Sequence, residues 1–128
     1  ERDHVQARKL VEELPFTYLH VFPFSPRDGT PATDLADPVP QRIAGERSRE
    51  LRELAREKGA RYRGARVGGW ATLVVEGESG WALTEDYLRV RVRAVPAADT
   101  LKPLDTVRCR LQGTDEDLYI DLSQSFQD

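Results

Sequence analysis

The sequence predicts an α+β chain in three parts: half of an α/β unit, one long amphipathic helix, and a small antiparallel, OB-like β-barrel. Three observations predict it. A run of aromatic, β-branched and aliphatic residues from Thr17 to Phe22, closed by Pro23, follows a stretch with helical spacing. From Gln41 to Arg66 apolar residues recur at helical intervals between charges. Beyond Arg66 the period changes to two, with Gly-rich and Pro-rich turns between short runs. The parts divide as residues 1–40, 41–64 and 65–128.

In the first part, Val5, Leu10, Val11 and Leu14 can share one face of a helix from Asp3 to Leu14. The strand from Thr17 to Phe22 then runs into a loop crowded with Pro, Gly, Ser and Arg. Such a strand needs parallel neighbours, and no second candidate strand occurs before residue 65. In the second part, Ile43, Leu51, Leu54, Ala55 and Tyr62 mark the apolar stripe. Pro38 and Pro40 mark its start, and Gly59 or Gly64 its end. The third part reads as strands at Trp70 to Glu76, Trp81 to Val95 as one long strand or two broken near Glu85-Asp86, Asp105 to Gln112, and Asp117 to Leu122. Turns are expected at residues 76–80 and 113–116, and a connection at residues 96–103. About sixty residues in four or five short strands must close, or nearly close, to cover their edges.

With 128 residues, 39% hydrophobic and 32% charged, the chain has the composition of a modest soluble globular domain. It has no apolar run long enough to span a membrane and no signal-peptide pattern, so a cytoplasmic location and no membrane partner are expected. It starts at Glu1 and has no Met, which together with the unpartnered strand reads as the C-terminal piece of a longer protein. Cys109 is alone and sits in a strand-like run, where a half-buried small hydrophobe is expected. One Cys with His4 and His20 builds neither a zinc site nor an iron-sulfur cluster, so no metal site is expected. No Ser-His-Asp set or phosphate-binding loop is present, and no catalytic residue is assigned.

The net charge of −3 is unevenly spread. Residues 41–66 carry nine bases against four acids, while residues 67–128 carry six against eleven. A charge-rich helix is ordinarily a solvated face, but this surplus also suits a phosphate partner. In the third part, Leu88, Val90, Val92 and Ala94 alternate with Tyr87, Arg89, Arg91 and Arg93. The next strand repeats the pattern, with Val107, Cys109 and Leu111 inward and Arg108 and Arg110 outward. If the two strands are neighbours, five guanidiniums and a Tyr share one barrel face. Two roles stand for it: an RNA-binding surface, or a solubilising face whose arginines pair with Glu76, Glu78, Asp105 or the cluster from Asp115 to Asp117. The acidic total of this part argues against broad duplex binding, and no DNA partner is expected.

In the first part, His20 alternates with Tyr18 and Phe22. A packed, hydrogen-bonded core histidine is weighed there against a catalytic one. Arg27 follows the strand's C-terminal end, where parallel α/β folds place their sites, and either meets an anion or fixes the loop through Asp28, Asp34 or Asp37.

The run Leu19-His20-Val21-Phe22-Pro23-Phe24-Ser25-Pro26-Arg27-Asp28-Gly29-Thr30-Pro31-Ala32, then Val39-Pro40 and Glu46-Arg47-Ser48-Arg49, resembles the end of the radical SAM methylthiotransferases. Ala82-Leu83-Thr84-Glu85-Asp86-Tyr87-Leu88-Arg89-Val90 is similar to a segment of their TRAM domain, a small RNA-binding barrel. The Leu-His-Val-Phe-Pro wording most resembles the branch that acts on threonylcarbamoyladenosine in tRNA.

The resemblance implies that a parent enzyme uses 4Fe-4S clusters and S-adenosylmethionine to methylthiolate C2 of that adenosine, next to the anticodon. Its cluster motif and its N-terminal cluster and radical SAM domains would lie before Glu1, so this piece alone is not expected to be active. The first part would be the end of the radical SAM barrel, with His20, Phe22 and Arg27 towards the cofactor. The third would grip tRNA through Tyr87, Arg89, Arg91, Arg93, Arg108 and Arg110. Phe24 stands where the family often has Tyr, and the stretch from Asp34 to Asp37 is more acidic than is usual there. The alternatives are a free-standing TRAM-type RNA-binding module and a non-catalytic adaptor docking through the basic helix.

Overall fold

The computed structural model describes residues 1–77, 80–93 and 103–124. Glu78, Ala94, and the expected connection over residues 96–102 lie outside them. The chain divides into two compact units, Glu1–Gly59 and Ala60–Asp128, and helix α2 supplies residues to each.

The first unit holds α1 (Arg2–Glu13), a short 3-10 turn (Pro31–Asp34) and residues 41–59 of α2 (Gln41–Arg66). Helical spacing is realised in α1, but its apolar residues are not covered: Val5 and Leu10 are each more than half exposed. No side chain among residues 1–59 is buried, so polar ties hold the unit. Arg47 reaches Glu1 at 2.6 Å, and Glu50 takes Arg8 at 3.0 Å and His4 at 2.9 Å. The hydrogen bond from His4, with Arg8 beside it, holds the Glu50 carboxyl below its usual pKa. Lys58 Nζ donates to the carbonyl oxygens of Val11, Glu12 and Leu14, groups that the end of α1 leaves without helical partners.

The expected strand from Thr17 to Phe22 has no ladder: the chain bends at Thr17 and carries no regular structure from Tyr18 to Phe22. A strand exists through its neighbours, and none of the described residues of this unit offers one. The helix expected to stop at Gly59 or Gly64 runs to Arg66. Neither glycine adopts a positive φ; the turn is made by Gly68 at φ +84°, with Gly69 N–H on the Arg66 carbonyl at 3.0 Å.

The second unit adds β1 (Trp70–Val75), β2 (Trp81–Thr84), β3 (Arg89–Arg93), β4 (Thr106–Arg110), β5 (Gln112–Gly113) and β6 (Leu118–Asp121), then a 3-10 turn at Leu122–Gln124. They form one sheet in the order β4-β1-β2-β3-β6-β5. Its two end strands, β4 and β5, are joined by Leu111 alone, so the sheet curls round to bring its ends onto one stretch of chain. Alternation fills the inside with Ala71, Leu73, Val75, Ala82, Val90, Val107, Cys109, Leu111, Leu118 and Ile120. Each fully buried Leu, Ile or Val there contributes about 2 kcal/mol.

One topological expectation is corrected and one condition is not met. The sheet is mixed, because β3 and β6 run parallel, with Arg91 opposite Tyr119 and Arg93 opposite Asp121. The chain through β4 and β5 supplies the crossover that parallel pairing needs. And β3 is not a neighbour of β4, since β1 and β2 lie between them.

Candidate nucleic-acid interface

The outer face of the curled sheet collects the residues that alternation turns away from the core. Arg108 and Arg110 of β4 are exposed, and so are Arg89, Arg91 and Arg93 of β3. Because two strands separate them, they form two groups on one curved surface, about 14 Å apart at ordinary strand spacing. They are not the single contiguous patch that adjacent strands would make.

Between and beside the arginines stand aromatic rings that a strand pattern alone reads as packing. Trp70 is in register with Arg110, Trp81 with Arg91, and Tyr119 with Arg91 from the other side. Each ring is covered by guanidinium. Arg89 and Arg91 lie 4.7 and 5.5 Å from the Trp81 ring centre, Arg108 and Arg110 5.7 and 5.3 Å from that of Trp70, and Arg93 3.9 Å from that of Tyr119. An exposed pair of this kind contributes about 0.5–1 kcal/mol and, more usefully here, holds a long flexible side chain in one place. The signal available in the sequence was an aromatic residue at an outward period-2 position in three separate strands.

The two groups differ in charge balance. Arg89 meets Glu76 at 3.2 Å, and Asp117 receives both Arg91 at 3.3 Å and Arg93 at 2.9 Å. Among the described residues, Arg108 and Arg110 make no ion pair. Among the described residues, the ion pairing that goes with a solubilising role is thus seen in the β3 group and not in the β4 group.

Tyr87 does not belong to the strand face. It sits in the turn between β2 and β3 at φ +63° and is 84% exposed, while Leu88 after it turns inward against the core. The turn is anchored by Asp86, whose Oδ2 accepts from Tyr62 at 2.6 Å and Arg66 Nε at 2.9 Å. Burial raises the pKa of the Asp86 carboxyl, but the donors Thr84, Tyr62 and Arg66 outweigh it and hold the value below the ordinary one. Its Oδ1 is buried without a well-formed hydrogen bond. The hydrogen bond to Asp86, helped by burial, pushes the Tyr62 phenol up.

In the first unit, His20 is exposed and stacks on Phe22 at 5.5 Å with the rings 2° from parallel, while Tyr18 meets it edge-on at 4.7 Å. Of the two roles weighed for His20, the packed core one is not realised within this unit: the three alternating rings form an uncovered ladder, with Phe22 77% exposed. Arg27 is fixed by its backbone, not by an aspartate. Its carbonyl accepts from the hydroxyls of Thr30 at 2.7 Å and Thr33 at 2.8 Å, and its N–H donates to Thr33 Oγ1 at 3.2 Å. Threonines three and six residues after an arginine in a Gly-Pro loop were the overlooked signal. Among the described residues no cluster of three or more His, Cys, Asp or Glu is placed to hold a metal ion, and no helix is long and apolar enough to cross a membrane.

No protein-family model matches the chain. Curated relatives do. It is 38% identical over 92 residues, 72% of this chain, to the threonylcarbamoyladenosine tRNA methylthiotransferase MtaB of Treponema pallidum, of which that region is 19%. It is 32% identical over 80 residues, 62% of this chain, to the tRNA-2-methylthio-N(6)-dimethylallyladenosine synthase of Ehrlichia canis, covering 18% of that protein. It is 38% identical over 79 residues, 62% of this chain, to the ribosomal protein uS12 methylthiotransferase RimO of Anaeromyxobacter, covering 17% of it. The homologues bear out the methylthiotransferase resemblance. The chain spans about a fifth of the length of these relatives.

Proposed function

We propose that this chain is the C-terminal part of a radical SAM methylthiotransferase that modifies tRNA at C2 of threonylcarbamoyladenosine, and that its curled sheet is a TRAM-type module that grips the tRNA. The observation that carries this is the 38% identity to a tRNA methylthiotransferase of that specificity, over 72% of the chain. The exposed arginines of β3 and β4, spaced by aromatic rings, support the RNA role, since guanidiniums pair with phosphates in forked geometry and stack on bases.

The first unit fits the role of the end of a larger barrel. An uncovered ring ladder at Tyr18, His20 and Phe22, in a segment with no ladder of its own, suits a strand whose partners lie elsewhere in the parent. S-adenosylmethionine, when bound by the parent, supplies the methyl group and the radical that starts the reaction. Towards it, His20 and Phe22 offer ring faces, and Arg27 offers a guanidinium free of any ion pair among the described residues. An iron-sulfur cluster does not fit this chain: it takes several thiolates, and the only thiol, that of Cys109, is buried in the barrel core. Residues 1–128 are proposed to bind and position the tRNA in the cytoplasm while cluster chemistry is held by the rest of the parent.

Nucleoside analysis of tRNA tests this. Cells in which the gene segment for residues 67–128 is deleted should lose 2-methylthio-threonylcarbamoyladenosine and retain its unmethylthiolated precursor. Loss of a different methylthiolated product would reassign the substrate, and no loss would reject the enzyme reading.

A further inference from the structure

Asp117 occupies a distinctive place on the arginine face. Its Oδ1 takes Arg91 Nη2 at 3.3 Å and its Oδ2 takes Arg93 Nη2 at 2.9 Å, so one anion with two oxygens sits between two guanidiniums. The guanidinium fork that fits a carboxylate also fits a phosphate. We propose that Asp117 is an internal stand-in for an RNA phosphate, seated on the Arg91–Arg93 pair in the free chain and displaced when RNA binds. This rests on the RNA-binding reading above and adds its regulation.

Three features support displacement over a permanent structural pair. The three side chains are 43–52% exposed, where an ion pair contributes little to stability and is screened by salt. Asp117 is placed by its own turn: its carbonyl accepts from Thr114 N–H at 3.2 Å and its N–H donates to Thr114 Oγ1 at 3.3 Å. And the two arginines do not depend on it for position, because Arg91 lies over Trp81 and Arg93 over Tyr119. With the carboxylate gone, the fork remains aimed outward.

The consequence is a threshold. A small isolated anion must compete with a tethered carboxylate, whose effective concentration is high. A polyanion that also reaches Arg89, Arg108 and Arg110 gains enough from those contacts to displace it. Weak non-specific binding is thereby suppressed more than binding that uses the whole face.

The test is the affinity of the full chain for a fluorescently labelled tRNA transcript, measured between about 50 and 200 mM salt. D117N keeps shape and turn hydrogen bonds and removes the charge. E116Q, on the neighbouring residue, removes the same charge from outside the fork. D117N is expected to bind on the order of tenfold tighter at the low-salt end, with a slope of log affinity against log salt steeper by about 0.9, as for one more neutralised phosphate. E116Q should move both much less. Equal effects of the two variants, or weaker binding by D117N, overturn the inference while leaving RNA binding by the wild type in place. Absence of binding by wild type and both variants overturns the RNA reading and this inference together.

Discussion

Tyr62 donates its phenolic hydrogen to Asp86 Oδ2 at 2.6 Å, which ties the last turns of α2 to the turn between β2 and β3. The same oxygen takes Arg66 at 2.9 Å, and Oδ1 is already buried without a well-formed bond. Removing one donor therefore leaves a largely buried carboxylate, 22% exposed, with Arg66 as the remaining donor to Oδ2. Tyr62→Phe should destabilise the second unit by about 2 kcal/mol. Its thermal midpoint should fall by about 10 °C, since 1 kcal/mol shifts a domain this small by about 4–8 °C. An unchanged midpoint would mean that Arg66 alone satisfies Asp86.

The same pair makes stability depend on pH at both ends. The Asp86 carboxyl has a folded pKa below its unfolded one, so its contribution is complete above about pH 4 and is lost as pH falls through the folded value. The Tyr62 phenol is raised, so its contribution is complete below about pH 10 and is lost as pH rises towards the folded value. Denaturant midpoints measured across the pH range should decline on both limbs in the wild type. In Tyr62→Phe the alkaline limb should flatten, and a limb of unchanged steepness would place its origin elsewhere.

Lys58 takes a comparable role in the first unit. Its ammonium collects the terminal carbonyls of α1 from Val11, Glu12 and Leu14, in a unit with no buried side chain to share the work. Lys58→Met keeps most of the stem and removes the donors. Amide hydrogens of α1 should then exchange roughly ten times faster, for a loss of about 1.4 kcal/mol, while those of β1 to β6 stay protected. Unaltered protection of α1 would refute the capping role.

Strands β3 and β4 are legible because one face of each is apolar and the other charged, so alternation alone places Val90, Val107 and Cys109 inside and Arg89, Arg108 and Arg110 outside. Strand order was not legible, because nothing local in Arg89 to Arg93 says that Leu118–Asp121 will pair with it in parallel. The aromatic anchors were missed for a related reason: Trp70, Trp81 and Tyr119 suit a core equally well until their register partners are known. Glycine favours termini, which points to Gly59 or Gly64 as the helix end, yet a helix ends where the backbone reverses, and that happens at Gly68. A core role for His20, weighed against a catalytic one, rests on a strand pattern whose partners the described residues do not bring to it.

Two glycines separate conformational need from open space. Gly113 has φ +97°, and a Cβ there would lie 2.1 Å from the Asp117 carbonyl oxygen. Gly45 has no positive φ, and a Cβ there meets nothing within 4 Å. Gly113→Ala should therefore cost about 3 kcal/mol or more through strain and a backbone clash in the turn between β5 and β6. Gly45→Ala should stabilise α2 by up to about 1 kcal/mol. Thermal unfolding of both variants checks this, and a tolerated alanine at Gly113 would contradict the turn.

The two arginine groups should contribute to RNA binding in unequal ways. Arg89, Arg91 and Arg93 already face Glu76 and Asp117, so part of their charge is neutralised before RNA arrives and they release fewer counterions on binding. Arg108 and Arg110 have no ion pair among the described residues and rest on Trp70. Each phosphate contact changes the salt slope by about 0.9, so R108A/R110A should flatten it by about 1.8. The triple variant R89A/R91A/R93A should weaken tRNA binding too, yet flatten the slope by clearly less than the roughly 2.7 that three free cations would give. Circular dichroism should be unchanged in both, because all five side chains point away from the core. If neither variant alters affinity or slope, the face does not meet phosphate. If the triple variant shows the full threefold change, Glu76 and Asp117 do not hold their arginines in solution.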